Sequence, residues 1–271
     1  MELAKRGEMG TQFRVSSDQV ERASSAISEQ GVFVFDSAVA PAVVDKLYLD
    51  IKQIVSEFRV HSTPEFGEQG GIIRCACAFS ESLFQFSTAD FLIDFTEHCI
   101  QQKCLLKTST IVENLPNGHV HQTWHRDFDH QNFTSSKPLG LSFILCLDDF
   151  TLENGATNFI LGSHRMETMP DHELQTVKFY QPEAKKGDVI VFDSMTYHRV
   201  GANKSLRPRL GLAHCVSAAF VRQDFDYYRL TEKFHKGVID KKRRVYLGEL
   251  YKSFSSVEEY YRVKYGPIHS R

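Results

Sequence analysis

Gly187-Asp188-Val189-Ile190-Val191-Phe192-Asp193-Ser194-Met195-Thr196-Tyr197-His198-Arg199-Val200 is a pair of short apolar runs hinged on a polar turn. Val189–Phe192 is rich in β-branched side chains, too short for a helix, and bounded by Gly187-Asp188 and Asp193-Ser194, so it reads as a buried strand. The turn then sends the chain into a second short run that carries His198. The same pattern recurs on both sides, at 105–112, 119–128, 140–147, 156–161 and 209–217, around the pair 189–193 and 198–201. Pro116-Asn117-Gly118, Glu153-Asn154-Gly155, Gly162-Ser163 and Lys186-Gly187-Asp188 break it up. Short runs at such spacing specify an antiparallel sandwich or small barrel rather than alternating β and α units.

The flanks differ. Ser16 and Gln19 have capping-box spacing ahead of Val20, Ala23 and Ile27, which predicts a helix over 16–30 stopped by Gly31. A strand at Val32–Phe35 follows, then a helix from Pro41 to about residue 58. His61–Gly71 reads as a loop, Ile72–Ala76 as a strand and Ala89–Gln101 as a helix. The tail from Asp224 is helical in pattern, with Tyr227, Leu230, Phe234, Val257, Tyr260 and Tyr261 as apolar contacts. The expected organisation is one domain over 1–271: a helical part at about 16–104, a β core at about 105–221 and a helical extension over 224–271.

Composition narrows the function. Thirty-two basic against 34 acidic residues give a net charge of −2, without the basic excess of a nucleic-acid binder. No apolar run approaches the roughly 20 residues that cross a bilayer, and no apolar segment follows the basic N-terminus as in a secretory signal. The expectation is a cytoplasmic protein whose six cysteines, none in a C-x-x-C pair, are buried thiols.

The densest polar cluster is His119-Val120-His121-Gln122-Thr123-Trp124-His125-Arg126-Asp127. On a strand, positions i and i+2 share a face, so His125 and Asp127 would project together into the barrel. Alone, H-x-D is a weak signal. If His198 enters near that pair, the result is two imidazoles and one carboxylate, the facial triad of non-haem Fe(II) oxygenases. His119 and His121, just after a turn, suit the rim. Arg209 follows in the alternating run Arg209-Leu210-Gly211-Leu212-Ala213, its face otherwise small, and the loop 201–208 would set its strand beside that of His198. Fe(II) with one Asp leaves +1 and Arg209 makes +2, matching a dicarboxylate such as 2-oxoglutarate held by the planar guanidinium. Thr108 and Thr110 share a face of the preceding strand and are candidates to hydrogen-bond 2-oxoglutarate, or ordinary polar barrel residues. Arg74 either holds an acidic group or forms a structural salt bridge. Lys241-Lys242-Arg243-Arg244 reads as a solvated helix face.

Trp124-His125-Arg126-Asp127, Glu153-Asn154-Gly155-Ala156 and Leu161-Gly162-Ser163-His164 form one set of motifs. Gly187-Asp188-Val189, Phe192-Asp193, Tyr197-His198-Arg199-Val200-Gly201-Ala202-Asn203, Ser205 and Pro208-Arg209 form another. Together they resemble the phytanoyl-CoA dioxygenase-like family of Fe(II)/2-oxoglutarate-dependent oxygenases, over residues 17–220. The resemblance implies a mainly β fold with flanking helices, a double-stranded β-helix or cupin-like jelly roll. It also implies His125, Asp127 and His198 on iron, and Arg209 on 2-oxoglutarate. Leu161 stands where the family usually has Pro. The implied reaction consumes O₂ and 2-oxoglutarate, releases succinate and CO₂, and hydroxylates an unactivated C–H of a small molecule such as an amino acid derivative or natural-product intermediate. Desaturation, cyclisation and acyl-CoA hydroxylation are variants; a cupin that binds metal or ligand without turnover is the alternative from another class. No nucleic-acid or membrane partner is expected. The aromatic-rich tail is expected to cover the pocket mouth, pack on the barrel, or build a homodimer contact.

Overall fold

The computed structural model describes residues 12–61, 71–117, 123–128, 131–169, 174, 176–235, 239–251 and 253–265. Helix α1, Ser17–Gln30, starts at the expected capping box: Gln19 N donates to Ser16 Oγ at 3.2 Å and Ser16 N to Gln19 Oε1 at 3.0 Å. It stops at Gly31, whose φ of +89° turns the N–H back onto the carbonyls of Ala26 and Ile27. Strand β1 is Val32–Phe35, and α2, Pro41–His61, runs past the expected end near 58. Strand β2 is only Ile72–Arg74, because Cys75 takes a left-handed φ of +58° and begins a 3₁₀ turn over Ala76–Ala78. Helix α3, Glu81–Ser87, is capped by Ser80; its seven residues are too few to show a period in sequence. Helix α4 is Asp90–Ile100.

Six further strands follow: β3 Cys104–Asn114, β4 Gly140–Cys146, β5 Asn158–Phe159, β6 Val189–Asp193, β7 His198–Arg199 and β8 Arg209–Ala218. An antiparallel sheet of six strands has the order β1-β6-β4-β8-β3-β2, and β5 with β7 begins a second, smaller sheet. Single bridges from His125 to His198 and from Phe159 to Tyr180 widen the small sheet on both sides.

Alternation along the strands sorts the side chains into two layers. Leu141, Phe143 and Leu145 of β4, Val189 and Val191 of β6, and Leu210, Leu212 and Val216 of β8 pack against the helices. Ile190 and Phe192 point the other way, into an inner cluster with Val32, Cys146, Phe150 and Phe159. The architecture is an antiparallel jelly roll with flanking helices. All six cysteines are free, four of them buried.

Two expectations are corrected. The strands of His198 and Arg209 do not pair: β7 bonds to β5 in the small sheet, β8 to β3 and β4 in the large one, so the two residues line one cavity from different sheets. The Lys241–Arg244 run is not merely solvated. It forms α6, Lys241–Tyr246, between α5, Tyr227–Leu230, and α7, Val257–Tyr265. Lys242 reaches Asp90 at 2.9 Å and Asp94 at 2.6 Å, and Arg243 reaches Asp90 at 3.3 Å, tying α6 to α4. Tyr227, Tyr246 and Leu247 are fully buried in the helix-side core. No described helix is long and apolar enough to cross a membrane.

Candidate active site

His125 and His198 exchange backbone hydrogen bonds, His125 N to His198 O at 3.0 Å and His198 N to His125 O at 2.9 Å. That bridge replaces the regular strand expected through 119–128: within 123–128 it is the only pairing. His119 and His121 lie outside the described residues. Asp127 sits in the turn beyond the bridge, its N–H donating to Ser194 O at 3.0 Å. One carboxylate oxygen, Oδ2, accepts a short hydrogen bond from Ser142 Oγ, which lies 3.0 Å from Ser194 Oγ. The other, Oδ1, lies 3.8 Å from His198 Nε2.

Each imidazole is held by the carbonyl two residues before it: His125 Nδ1 to Thr123 O and His198 Nδ1 to Thr196 O, both at 3.0 Å. A carbonyl only accepts, so Nδ1 carries the proton and the Nε2 lone pair faces the other way. The two rings are 4.3 Å apart between centroids, and His198 is flanked by Phe192 at 4.6 Å. One donor atom from each of His125, Asp127 and His198 falls within 4.8 Å of the others, the single such cluster among the described residues able to hold a metal ion.

The cluster opens into a cavity of about 1000 Å³ that Thr108, Thr110 and Arg209 also line. Arg209 is 2% exposed. Its guanidinium lies 3.8 Å over the ring of Phe150, and Nη2 donates to Gly155 O at 3.1 Å. Its Nε–H has no acceptor among the described residues. Burial pushes the Arg209 pKa down to about 10, so it remains a cation at neutral pH. Gly211 lines the cavity and also makes room for Phe150: a Cβ there would stand 3.1 Å from Phe150 Cζ. Gly155 is needed where it is, with φ +77° and a Cβ position only 2.2 Å from Gly201 O. Thr110 Oγ1 is buried with no partner among the described residues. Sequence reasoning passed over Ser142, Phe150 and Ser194; the signal available for Ser142 was its inward parity between Leu141 and Phe143.

The residues just after β8 form part of the mouth. Phe220–Asp224 line the cavity, and Asp224 pairs with Lys107 at 2.5 Å. Beyond them the tail leaves the mouth and enters the helix-side core.

The sequence profile of phytanoyl-CoA dioxygenase (PhyH) matches residues 27–211. The chain belongs to that family. It is a dioxygenase enzyme. It is 26% identical over 220 residues to uncharacterized protein Rv1501 of Mycobacterium tuberculosis, covering 79% of this chain and 80% of that one. Dioxygenase aneA of Aspergillus aculeatus is 31% identical over 46% of this chain and 44% of its own length. Among solved structures, EctD from S. alaskensis with 2-oxoglutarate and 5-hydroxyectoine superposes with a TM-score of 0.65 at 18% identity, over 79% of this chain and 82% of that one. The matched stretch runs from the last turn of α1 into β8.

Proposed function

We propose that this dioxygenase uses Fe(II), 2-oxoglutarate and O₂ to hydroxylate an unactivated C–H of a small-molecule substrate, releasing succinate and CO₂. The observation that carries the reading is Arg209, a buried cation with an unaccepted Nε–H on the wall of the cavity that holds the His-Asp-His cluster. A buried donor without an acceptor costs about 1–3 kcal/mol, a cost that a bound carboxylate removes. The planar guanidinium suits a carboxylate oxygen pair, and Thr110 Oγ1, equally unpartnered, suits a hydroxyl-to-carboxylate bond. Thr108, on the same strand face, supplies a second hydroxyl.

His125, Asp127 and His198 would hold the iron. When bound, the ion would activate O₂, which is the oxidant: oxidative decarboxylation of the 2-oxo acid would consume one oxygen atom and hydroxylation of the C–H bond the other. The protein's part is orientation and exclusion of water. The Thr123 and Thr196 carbonyls set the imidazole tautomers, and Ser142 occupies one carboxylate oxygen so that Asp127 presents the other. Phe192 and Phe159 shield the His198 ring from solvent. The 5-hydroxyectoine in the EctD structure supports a small, freely diffusing substrate. We further read the chain as one oxygenase domain acting in the cytoplasm. The exposed Leu250, Tyr251, Phe254, Val257, Tyr261 and Val263 support a homodimer contact through the tail.

Anaerobic calorimetry with Fe(II), followed by succinate measurement in air, tests the reading. The intact chain is expected to bind one iron and to form succinate only with iron and 2-oxoglutarate together. His125→Ala, Asp127→Ala and His198→Ala should each lose iron binding and turnover while keeping the circular dichroism of the parent. Wild-type turnover with full iron in any one of them would overturn the ligand assignment.

A further inference from the structure

Five cationic side chains other than histidine line the cavity among the described residues: Arg74, Lys107, Arg126, Arg209 and Arg222. Three are committed. Arg126 donates to the carbonyls of Ser163 at 3.0 Å and Glu167 at 2.7 Å, and also to that of Met166. Lys107 is neutralised by Asp224, and Arg209 faces the cosubstrate position. Arg74 and Arg222 remain. Both are exposed, and neither has a hydrogen bond or ion pair with any described residue.

Both nonetheless have a set place. In the register of the large sheet, Arg74 stands opposite Thr110, and Thr110 opposite Ala213. Residues paired in this way share a sheet face, so Arg74 projects on the cavity side at the open edge of β2. Arg222 lies in a segment pinned on both sides: Val221 N donates to Ala218 O at 2.8 Å, and Gln223 Nε2 to Leu106 O at 2.7 Å. The space they border has apolar walls, from Ile72, Val112, Leu139 and Val221, with Phe133 and Phe220 exposed at the rim. A chain of net charge −2 thus places two uncommitted guanidinium groups at the mouth of a largely apolar chamber.

We infer that the primary substrate is an amphipathic oxyanion: an apolar body lodged inside and a carboxylate or phosphate held at the mouth by Arg74 and Arg222. The inference rests on the reading of this cavity as the reaction chamber. A guanidinium fork recognises a planar or tetrahedral oxyanion through two parallel hydrogen bonds. The same two charges repel a cationic substrate and steer an anionic one inward. Anchoring the far end in this way holds the apolar body toward the His-Asp-His cluster, leaving a C–H of the body as the group presented for oxidation.

Calorimetric titration of the full, metal-free chain with four probes, each below its micelle concentration, tests this: decanoate, decyl phosphate, decanol and decyltrimethylammonium. The two anions should bind at least about tenfold more tightly than decanol, and the ammonium most weakly. Arg74→Gln and Arg222→Gln should each weaken the anions by about threefold to tenfold and leave decanol unchanged, and the double variant should erase the preference. Whichever anion binds better names the oxyanion. Both variants replace exposed side chains, so loss of fold is not expected, and circular dichroism checks it. Equal binding of decanol and both anions, or no binding of any probe, overturns the inference. So does a preference that survives the double variant but vanishes in Arg209→Gln, since the anion then sits in the cosubstrate clamp. Because these titrations need neither iron nor turnover, they stand or fall separately from the succinate assay.

Discussion

At the scale of single residues, the candidate site is a set of donors oriented by neighbours: the Thr123 and Thr196 carbonyls hold the two imidazoles and Ser142 holds Asp127. Arg209 shows what is at stake. Removing one member of a buried charge pair typically costs about 3–5 kcal/mol, so Arg209→Ala is expected to raise the Kd for 2-oxoglutarate several-hundred-fold or more. Lysine should recover part of that, because a point charge lacks the planar fork. Calorimetry against 2-oxoglutarate with iron present measures both; an unchanged Kd in Arg209→Ala would move the carboxylate clamp elsewhere. Ser142 acts one step further out, through its hydrogen bond to Asp127. Partners of metal-ligating groups typically contribute about 10–100-fold in metal affinity, so Ser142→Ala should weaken Fe(II) binding by that order while the far-ultraviolet spectrum stays unchanged. Iron affinity equal to that of the parent would mean that the turn alone positions Asp127.

Among the elements, the tail after β8 has three distinct parts. Phe220–Asp224 edge the cavity, α5 and α6 bury Tyr227, Tyr246 and Leu247 in the core, and α7 leaves Val257, Tyr261 and Val263 exposed. Short helices are marginal in water on their own, so α5 and α6 owe their stability to this burial and to the Lys242 and Arg243 ties to α4. The two halves of the tail should therefore respond differently to truncation. Ending the chain after Val221 removes core aromatics that contribute about 3–5 kcal/mol each, and the expected product is unfolded or aggregated. Ending it after Tyr251 should leave the melting temperature nearly unchanged and, if the exposed tail residues join two copies, convert a dimer to a monomer in light scattering. A folded, fully active chain ending at Val221 would contradict the core role seen for Tyr227 and Tyr246.

For the whole molecule, two buried titratable groups make stability depend on pH in opposite directions. His214, fully enclosed behind the large sheet and hydrogen-bonded to Ser87 Oγ at 2.7 Å, has its pKa pushed down by burial to about 3. Between that value and its ordinary 6.5 the unfolded chain takes up a proton that the folded chain refuses, so acidification costs stability. From pH 7 to pH 5 this one group removes about 2 kcal/mol. Asp193 runs the other way: burial raises it to about 6, against the Met195 N–H and Arg126, which pull it down. Folding then favours its protonated form, and its contribution grows as pH falls from 6 toward 3.8. Denaturant melts of His214→Gln and the parent at pH 7 and pH 5 separate the two. The variant should lose about 2 kcal/mol less than the parent on acidification, and parallel losses would show that His214 titrates normally.

Much of this molecule follows from local chemistry. The capping box at Ser16, the glycine stop at Gly31, the continuous apolar run of β6 and the alternation at the start of β8 need only neighbouring residues, and each is legible along the chain. The donor types, His125 with Asp127, then His198 and Arg209, are legible for the same reason, since their chemistry is carried by the side chains themselves. Contacts between distant segments are not. That His198 and Arg209 line one cavity from different sheets, that Phe150 lies under the guanidinium, that Ser142 holds Asp127, and that Lys242 and Arg243 tie α6 to α4 all depend on how distant segments are brought together. Strand pairing is set by the sum of many weak long-range contacts, and no short stretch contains that sum. The sequence alone determined which donor groups are available and which short stretches become buried strands; the tertiary structure decided which of them come together, because that depends on long-range pairing.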